Sequence, residues 1–151
     1  MTKEPGRILA VDPGEKRLGL AVSDPTQTIV SPLEVLPHRS REKDALEILR
    51  IAEEQGASLI ILGQALHWDG SESHQAAGSV KLAELLRDLG AIPVELVDEY
   101  GSTQEAQQTR RQMNVSREKR SGHLDDLAAA IILQNYLENK ESAESHERQQ
   151  E

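Results

Sequence analysis

Two periods of apolar residues divide the chain. Ile8-Leu9-Ala10-Val11 is a continuous apolar run of strand length, and Asp12-Pro13-Gly14-Glu15-Lys16 behind it has turn chemistry. Leu18, Leu20 and Val22 then alternate with Arg17, Gly19, Ala21 and Ser23, so the pattern predicts a half-buried second strand folding back as a β-hairpin. A third strand is predicted around Ile29 to Leu36, where Pro32 marks an edge or a break because it cannot donate to a ladder. From Glu42 to Gln55 the period changes: Ala45, Leu46, Ile48, Leu49 and Ala52 fall at helical spacing, and Gly56 supplies the stop. Leu59-Ile60-Ile61-Leu62 reads as a buried strand ending at Gly63. After a polar loop, Val80, Leu82, Ala83, Leu85, Leu86 and Leu89 predict a second helix closing at Gly90. Pro93 to Val97 is the next strand, and Ser102-Thr103-Gln104-Glu105 matches a capping box that would open a helix just beyond Glu99. A last helix is predicted from about Leu124 to Leu137, and Leu127 to Leu133 is apolar nearly all round, so burial is expected there. The segment after it is polar and acidic without apolar periodicity and is expected to be disordered. The order of elements predicts an α/β protein with a mixed sheet, antiparallel at first and parallel where strand, helix and strand succeed one another.

Length and charge narrow the picture. The 151 residues suffice for one well-buried domain, expected at 1–138 with an acidic tail at 139–151. No cysteine is present, which excludes disulfides, thiolate nucleophiles and sulfur-ligated metals. The first residues lack the apolar core of a signal peptide and no run has membrane-spanning length, so a soluble cytoplasmic protein with no membrane association is expected. A net charge of −9 argues against the broad basic surface that holds nucleic acid passively. The cations are nevertheless clustered. Lys16 and Arg17 follow Asp12, while Arg110, Arg111, Arg117, Lys119 and Arg120 precede Asp125, so phosphate contacts could gather beside carboxylates; solvated surface charges are the plainer reading. Aromatics are 2% of residues with no Phe, so the core is aliphatic and a multi-aromatic base-stacking platform is not expected.

Candidate chemistry lies in three carboxylates at the ends of apolar segments: Asp12 and Glu99 at strand ends, and Asp125 in the first turn of the last helix. Taken singly, each has an ordinary structural role in a turn, a cap or a helix dipole. Taken together at one sheet edge they would repel unless a cation neutralised them, which points to a divalent-metal site. Adjacent residues on a strand face opposite ways, so only one of Asp98 and Glu99 readily joins Asp12; Glu99 is favoured. An all-oxygen donor set suits Mg²⁺ or Mn²⁺.

In combination the motifs resemble the YqgF/RuvX family of pre-16S rRNA nucleases, relatives of the Holliday junction resolvase RuvC with a ribonuclease H-like fold. The resemblance covers roughly residues 7–138. It is carried by Asp12-x-Gly14-x-Lys16-Arg17-x-Gly19-x-Ala21-Val22-Ser23-Asp24, by Ser31-Pro32-Leu33, and by Gly63-x-x-Leu66-x-x-Asp69-Gly70. Asp98-Glu99 with Ser102-Thr103, and Asp125 leading Ala129-x-Ile131-Ile132-Leu133, complete it. It implies a mixed five-stranded sheet with helices on both faces and catalytic and metal-binding roles for Asp12, Glu99 and Asp125; substrate contacts are expected beside them at Lys16, Arg17, Ser102, Thr103 and Arg120. Asp126 has no assigned role. Three departures stand out. Tyr100 replaces the family's Arg after Asp-Glu; Ala65 and His67 replace the Pro and Asn of the glycine loop; and His123 stands where a basic residue is common. Trp68 could stack on a base, and His123 could position water or phosphate, beside plainer readings as packing and solvated residues. The implied activity is metal-dependent endonucleolytic hydrolysis in 5′-end maturation of pre-16S rRNA, on a single-stranded RNA precursor, by a monomer or homodimer. Alternatives are a Holliday junction resolvase acting on branched DNA and a catalytically weak RNA-binding assembly factor. An actin-like ATPase shares the first hairpin but needs a second lobe for which the chain has no room.

Overall fold

A computed structural model describes residues 4–65, 73–99 and 125–150, with side chains of the last helix described from Leu127 to Glu141. The elements are β1 (Arg7–Pro13), β2 (Arg17–Ser23), β3 (Val30–Pro37), α1 (Arg41–Gln55), β4 (Ala57–Gln64), α2 (His74–Leu89), β5 (Val94–Asp98) and α3 (Asp125–Gln150). The five strands form one sheet in the order β3-β2-β1-β4-β5. Its first three strands are antiparallel, whereas β4 runs parallel to both β1 and β5.

Strand alternation sorts the core into two layers. Leu9, Val11, Leu18, Leu20, Ile60 and Leu62 face α1 and α2, and pack with Ile48, Ala52, Ala83 and Leu86. Ile8, Ala10, Ala21 and Ile61 face α3 and pack with Ala129, Ile132, Leu133 and Leu137. Helices thus cover both faces, as expected. The apolar run on α3 is less completely covered than its composition suggests: Ala128, Ala129, Ile132 and Leu133 are buried, whereas Leu127 is 45% exposed.

Local signals account for most boundaries. Ser40 caps α1 by accepting from the Lys43 N–H at 3.2 Å, and Gly56 ends it at φ 67°, a left-handed conformation that glycine adopts without Cβ strain. Pro32 lies on edge strand β3 beside an irregularity, because Leu20 pairs with Glu34 but Ala21 with Pro32. In the β1–β2 turn, a Cβ on Gly14 would stand 2.6 Å from the Arg17 carbonyl oxygen, which the Gly14 N–H itself approaches at 2.9 Å. The buried Ser23 hydroxyl accepts from the Ile8 N–H at 2.9 Å, and Asp24 closes the β2–β3 loop by accepting from the Thr28 and Ile29 N–H groups at 2.7 and 2.8 Å.

Two expectations are corrected. The second helix begins at His74, six residues before Val80. Its first turns pack through small residues, Ala76 and Ser79, both buried, which give no large-residue period to read. Residues 139–150, expected to be disordered, continue α3 as helix. Propagating a docked helix is far easier than nucleating one, and Glu, Lys, Ala, Gln and Arg sustain it without an apolar face. The helix predicted to open at Ser102 lies outside the described residues.

Candidate active site

Asp12 occupies the penultimate position of β1, opposite Gly19 of β2, and is 6% exposed. It shares strand parity with Ile8 and Ala10, so it belongs to the face covered by α3. Glu99 lies one residue past β5, held by its N–H to the Gln64 carbonyl at 3.2 Å, and is 3% exposed. It shares parity with Val97, which packs on the same layer. Between the two carboxylates runs β4. Val11 pairs with Leu62, which sets Gly63 beside Asp12, and Gly63 in turn pairs with Val97. Two strand spacings separate β1 from β5, about 10 Å. The Glu99 side chain narrows that gap by lying over Gly63: a Cβ built there would meet Glu99 Cγ at 3.2 Å, Glu99 Oε1 at 3.7 Å and Ile132 Cδ1 at 2.8 Å. Asp98 has the opposite parity, that of Leu96, and so belongs to the α1/α2 layer.

Two buried carboxylates on one sheet face, on either side of a residue with no side chain, offer hard oxygen donors whose chemistry fits a divalent cation. Burying such charges is costly unless hydrogen bonds, protons or a metal compensate them. Asp125 opens α3, so its backbone sits at the start of the helix that covers this face, while its side chain lies outside the described residues. Among the described side chains no group of three His, Asp or Glu is placed to hold a metal.

Lys16 and Arg17 are exposed at the β1–β2 turn, on the same sheet edge as Asp12. Trp68, Tyr100, Ser102, Thr103, Arg120 and His123 lie outside the described residues. Sequence reasoning missed two features beside the carboxylates. Ser79, buried in α2, donates from Oγ to the Gly63 carbonyl at 3.1 Å, and Ser73 Oγ donates to the Ala65 carbonyl, so α2 holds both ends of the β4 exit. A serine among apolar positions of a helix was the available signal. The second feature is a cavity of about 370 Å³ on the opposite face, lined among others by Pro13, Gly14, His38, Arg41, His74 and Gly78. Within it His38 Nδ1 bonds the buried Asp44 carboxylate, which also accepts from the Arg39 N–H at 3.1 Å. Neither Asp12 nor Glu99 lines this cavity.

The sheet order and its crossovers define a ribonuclease H-like fold. Solved structures agree: T. thermophilus RuvC in complex with a Holliday junction substrate superposes with TM-score 0.53 at 13% identity, covering 89% of this chain and 95% of that one. The fowlpox virus Holliday junction resolvase gives 0.51 at 16% identity, covering 88% and 99%. Sequence then sets the family: the chain belongs to RuvX, described as Holliday junction resolvase, whose model matches residues 6–139. Relatives named "Putative pre-16S rRNA nuclease" include one from Endomicrobium trichonymphae, 38% identical over 133 residues, covering 87% of this chain and 95% of the relative. Another, from Roseiflexus sp. (strain RS-1), is 34% identical over 140 residues, covering 93% and 99%. The protein is accordingly an enzyme, a nuclease. Among the described residues no helix is long and apolar enough to cross a membrane.

Proposed function

We propose that this protein is a divalent-metal-dependent endonuclease that hydrolyses phosphodiester bonds in 5′-end maturation of pre-16S rRNA, in the cytoplasm. The observation that carries the reading is the placement of buried Asp12 and Glu99 on one sheet face, on either side of Gly63, with the Glu99 side chain lying over that glycine. Helix phase supports Asp125 as the third ligand. At 100° per residue, the centre of the buried stripe Ala128, Ala129, Ile132, Leu133 and Leu137 lies about 35° from position 125 and about 65° from position 126. Mg²⁺ or Mn²⁺ held there would supply an activated water and stabilise the leaving oxygen. The chain's own cations take the phosphates, Lys16 and Arg17 on the Asp12 side and Arg120 ahead of Asp125, with His123 to position water or phosphate, Ser102 and Thr103 as hydroxyl donors and Trp68 as a base contact. Tyr100, in place of an arginine, makes the protein rely on those cations. Relatives carrying the pre-16S rRNA name favour RNA as substrate, and trimming a single-stranded precursor requires one active site, whereas symmetric cutting of a junction requires two.

The test compares cleavage of a pre-16S 5′ precursor RNA with cleavage of a four-way DNA junction, in Mg²⁺ and in Mn²⁺, while solution mass is measured. Metal-stimulated cutting of the RNA is expected. A stable dimer making paired symmetric nicks in the junction and ignoring the RNA would replace this reading with junction resolution, and RNA binding without cleavage would leave an assembly factor.

A further inference from the structure

We infer that Gly63 is a positioning residue for the carboxylate pair: its missing side chain is the space through which Glu99 reaches back across β4 toward Asp12. The inference rests on the metal-site reading above and assigns a role to a residue with no functional group. Gly63 has a conformation that other residues adopt, since positive φ among the described glycines occurs only at Gly6 and Gly56. Its requirement is therefore for space. A Cβ would meet two different neighbours, Ile132 Cδ1 at 2.8 Å and Glu99 Cγ at 3.2 Å, both inside ordinary van der Waals contact. The first is the tip of a flexible side chain on α3, and the second is the stem of the carboxylate. Strand β4 has little freedom to retreat from either. It is the sheet's second-to-last strand, paired on both sides, and Ser79 Oγ grips the Gly63 carbonyl from the α2 layer at 3.1 Å. An added methyl is relieved by turning Ile132 and by lifting Glu99 away from Asp12, and the second movement separates the pair.

The two contacts can be separated, because valine at 132 lacks the offending Cδ1. Mn²⁺ binding is measured by calorimetry on the full chain without substrate, and melting temperature is followed in EDTA, for Gly63→Ala, Ile132→Val and the double variant. Gly63→Ala is expected to weaken Mn²⁺ binding at least tenfold and to lower the melting temperature. Ile132→Val is expected to bind Mn²⁺ within twofold of the unaltered protein. The double variant should regain most of the stability lost in Gly63→Ala while Mn²⁺ binding stays weak, and its cleavage should recover when Mn²⁺ is raised to saturation. Recovery of stability and Mn²⁺ binding together in the double variant would overturn the inference, leaving Gly63 as a packing residue under α3. So would Gly63→Ala binding Mn²⁺ as the unaltered protein does. Failure of the unaltered protein to bind Mn²⁺ is a separate result that removes the metal-site reading and this inference with it.

Discussion

Removing one carboxylate of the pair should make the metal-free protein more stable and the metal-loaded protein less stable, so the order of melting temperatures should invert with metal. Asp12 and Glu99 are buried on one face and separated by the single strand β4. At a separation of about 8 Å and an effective dielectric of about 20, their repulsion is about 2 kcal/mol. Asp12→Asn or Glu99→Gln removes it and forfeits about 1.5 kcal/mol of hydrogen bonding to the charged form. A net gain of about 0.5 kcal/mol in EDTA is expected, or about 1–2 °C in a domain of this size. A metal at a hundred times its dissociation constant adds about 2.7 kcal/mol to a protein that binds it, and the variants should forgo most of that. Differential scanning calorimetry in EDTA and in excess Mn²⁺ reads both halves of the inversion, with cleavage abolished in each variant. Variants that melt several degrees below the unaltered protein in EDTA, combined with an unaltered protein indifferent to Mn²⁺, would refute the reasoning: the carboxylates would then be structural hydrogen-bond acceptors.

Other expectations are more local. Asp125→Asn should abolish cleavage and Asp126→Asn reduce it only a few-fold; the reverse outcome in a cleavage assay would reassign the helix ligand. Burial, with the hydrogen bond that Tyr136 donates to Glu95 at 2.9 Å, pushes the Tyr136 phenol from 10.0 up to about 12. The neutral phenol is therefore favoured by folding. Its contribution is fully present below pH 10 and lost as pH rises through about 12, a loss that urea titrations across this window should show and that Tyr136→Phe should remove. Truncation after Glu141 should lower the far-ultraviolet helix signal with little change in melting temperature or activity, because the residues beyond it lack an apolar stripe; a fall of more than a few degrees would show that this end of α3 packs.

The periods of two and of 3.6 were enough to read most of the fold from the chain. The run at Ile8–Val11, the alternation from Leu18 to Val22 and the helical spacing from Ala45 to Ala52 each reappear as β1, β2 and α1, and Pro32 falls on the edge strand. These are local signals, set by which side chains one element must bury. Where burial runs through small residues, as at Ala76 and Ser79, or where helix continues through a polar sequence, as beyond Leu137, no apolar period exists and the sequence does not mark the boundary. Sequence motifs also singled out Asp12 and Glu99, and strand parity separated Glu99 from Asp98. Only the tertiary structure decided what lies between them. The insertion of β4 beside β1, after a crossover through α1, puts Gly63 under the Glu99 side chain, and Ser79 from the opposite layer fixes it there. Strand order is set by how helices and strands pack at long range, which no local period encodes. A glycine 51 residues from Asp12 and 36 from Glu99 therefore acquires its role only when the sheet is assembled.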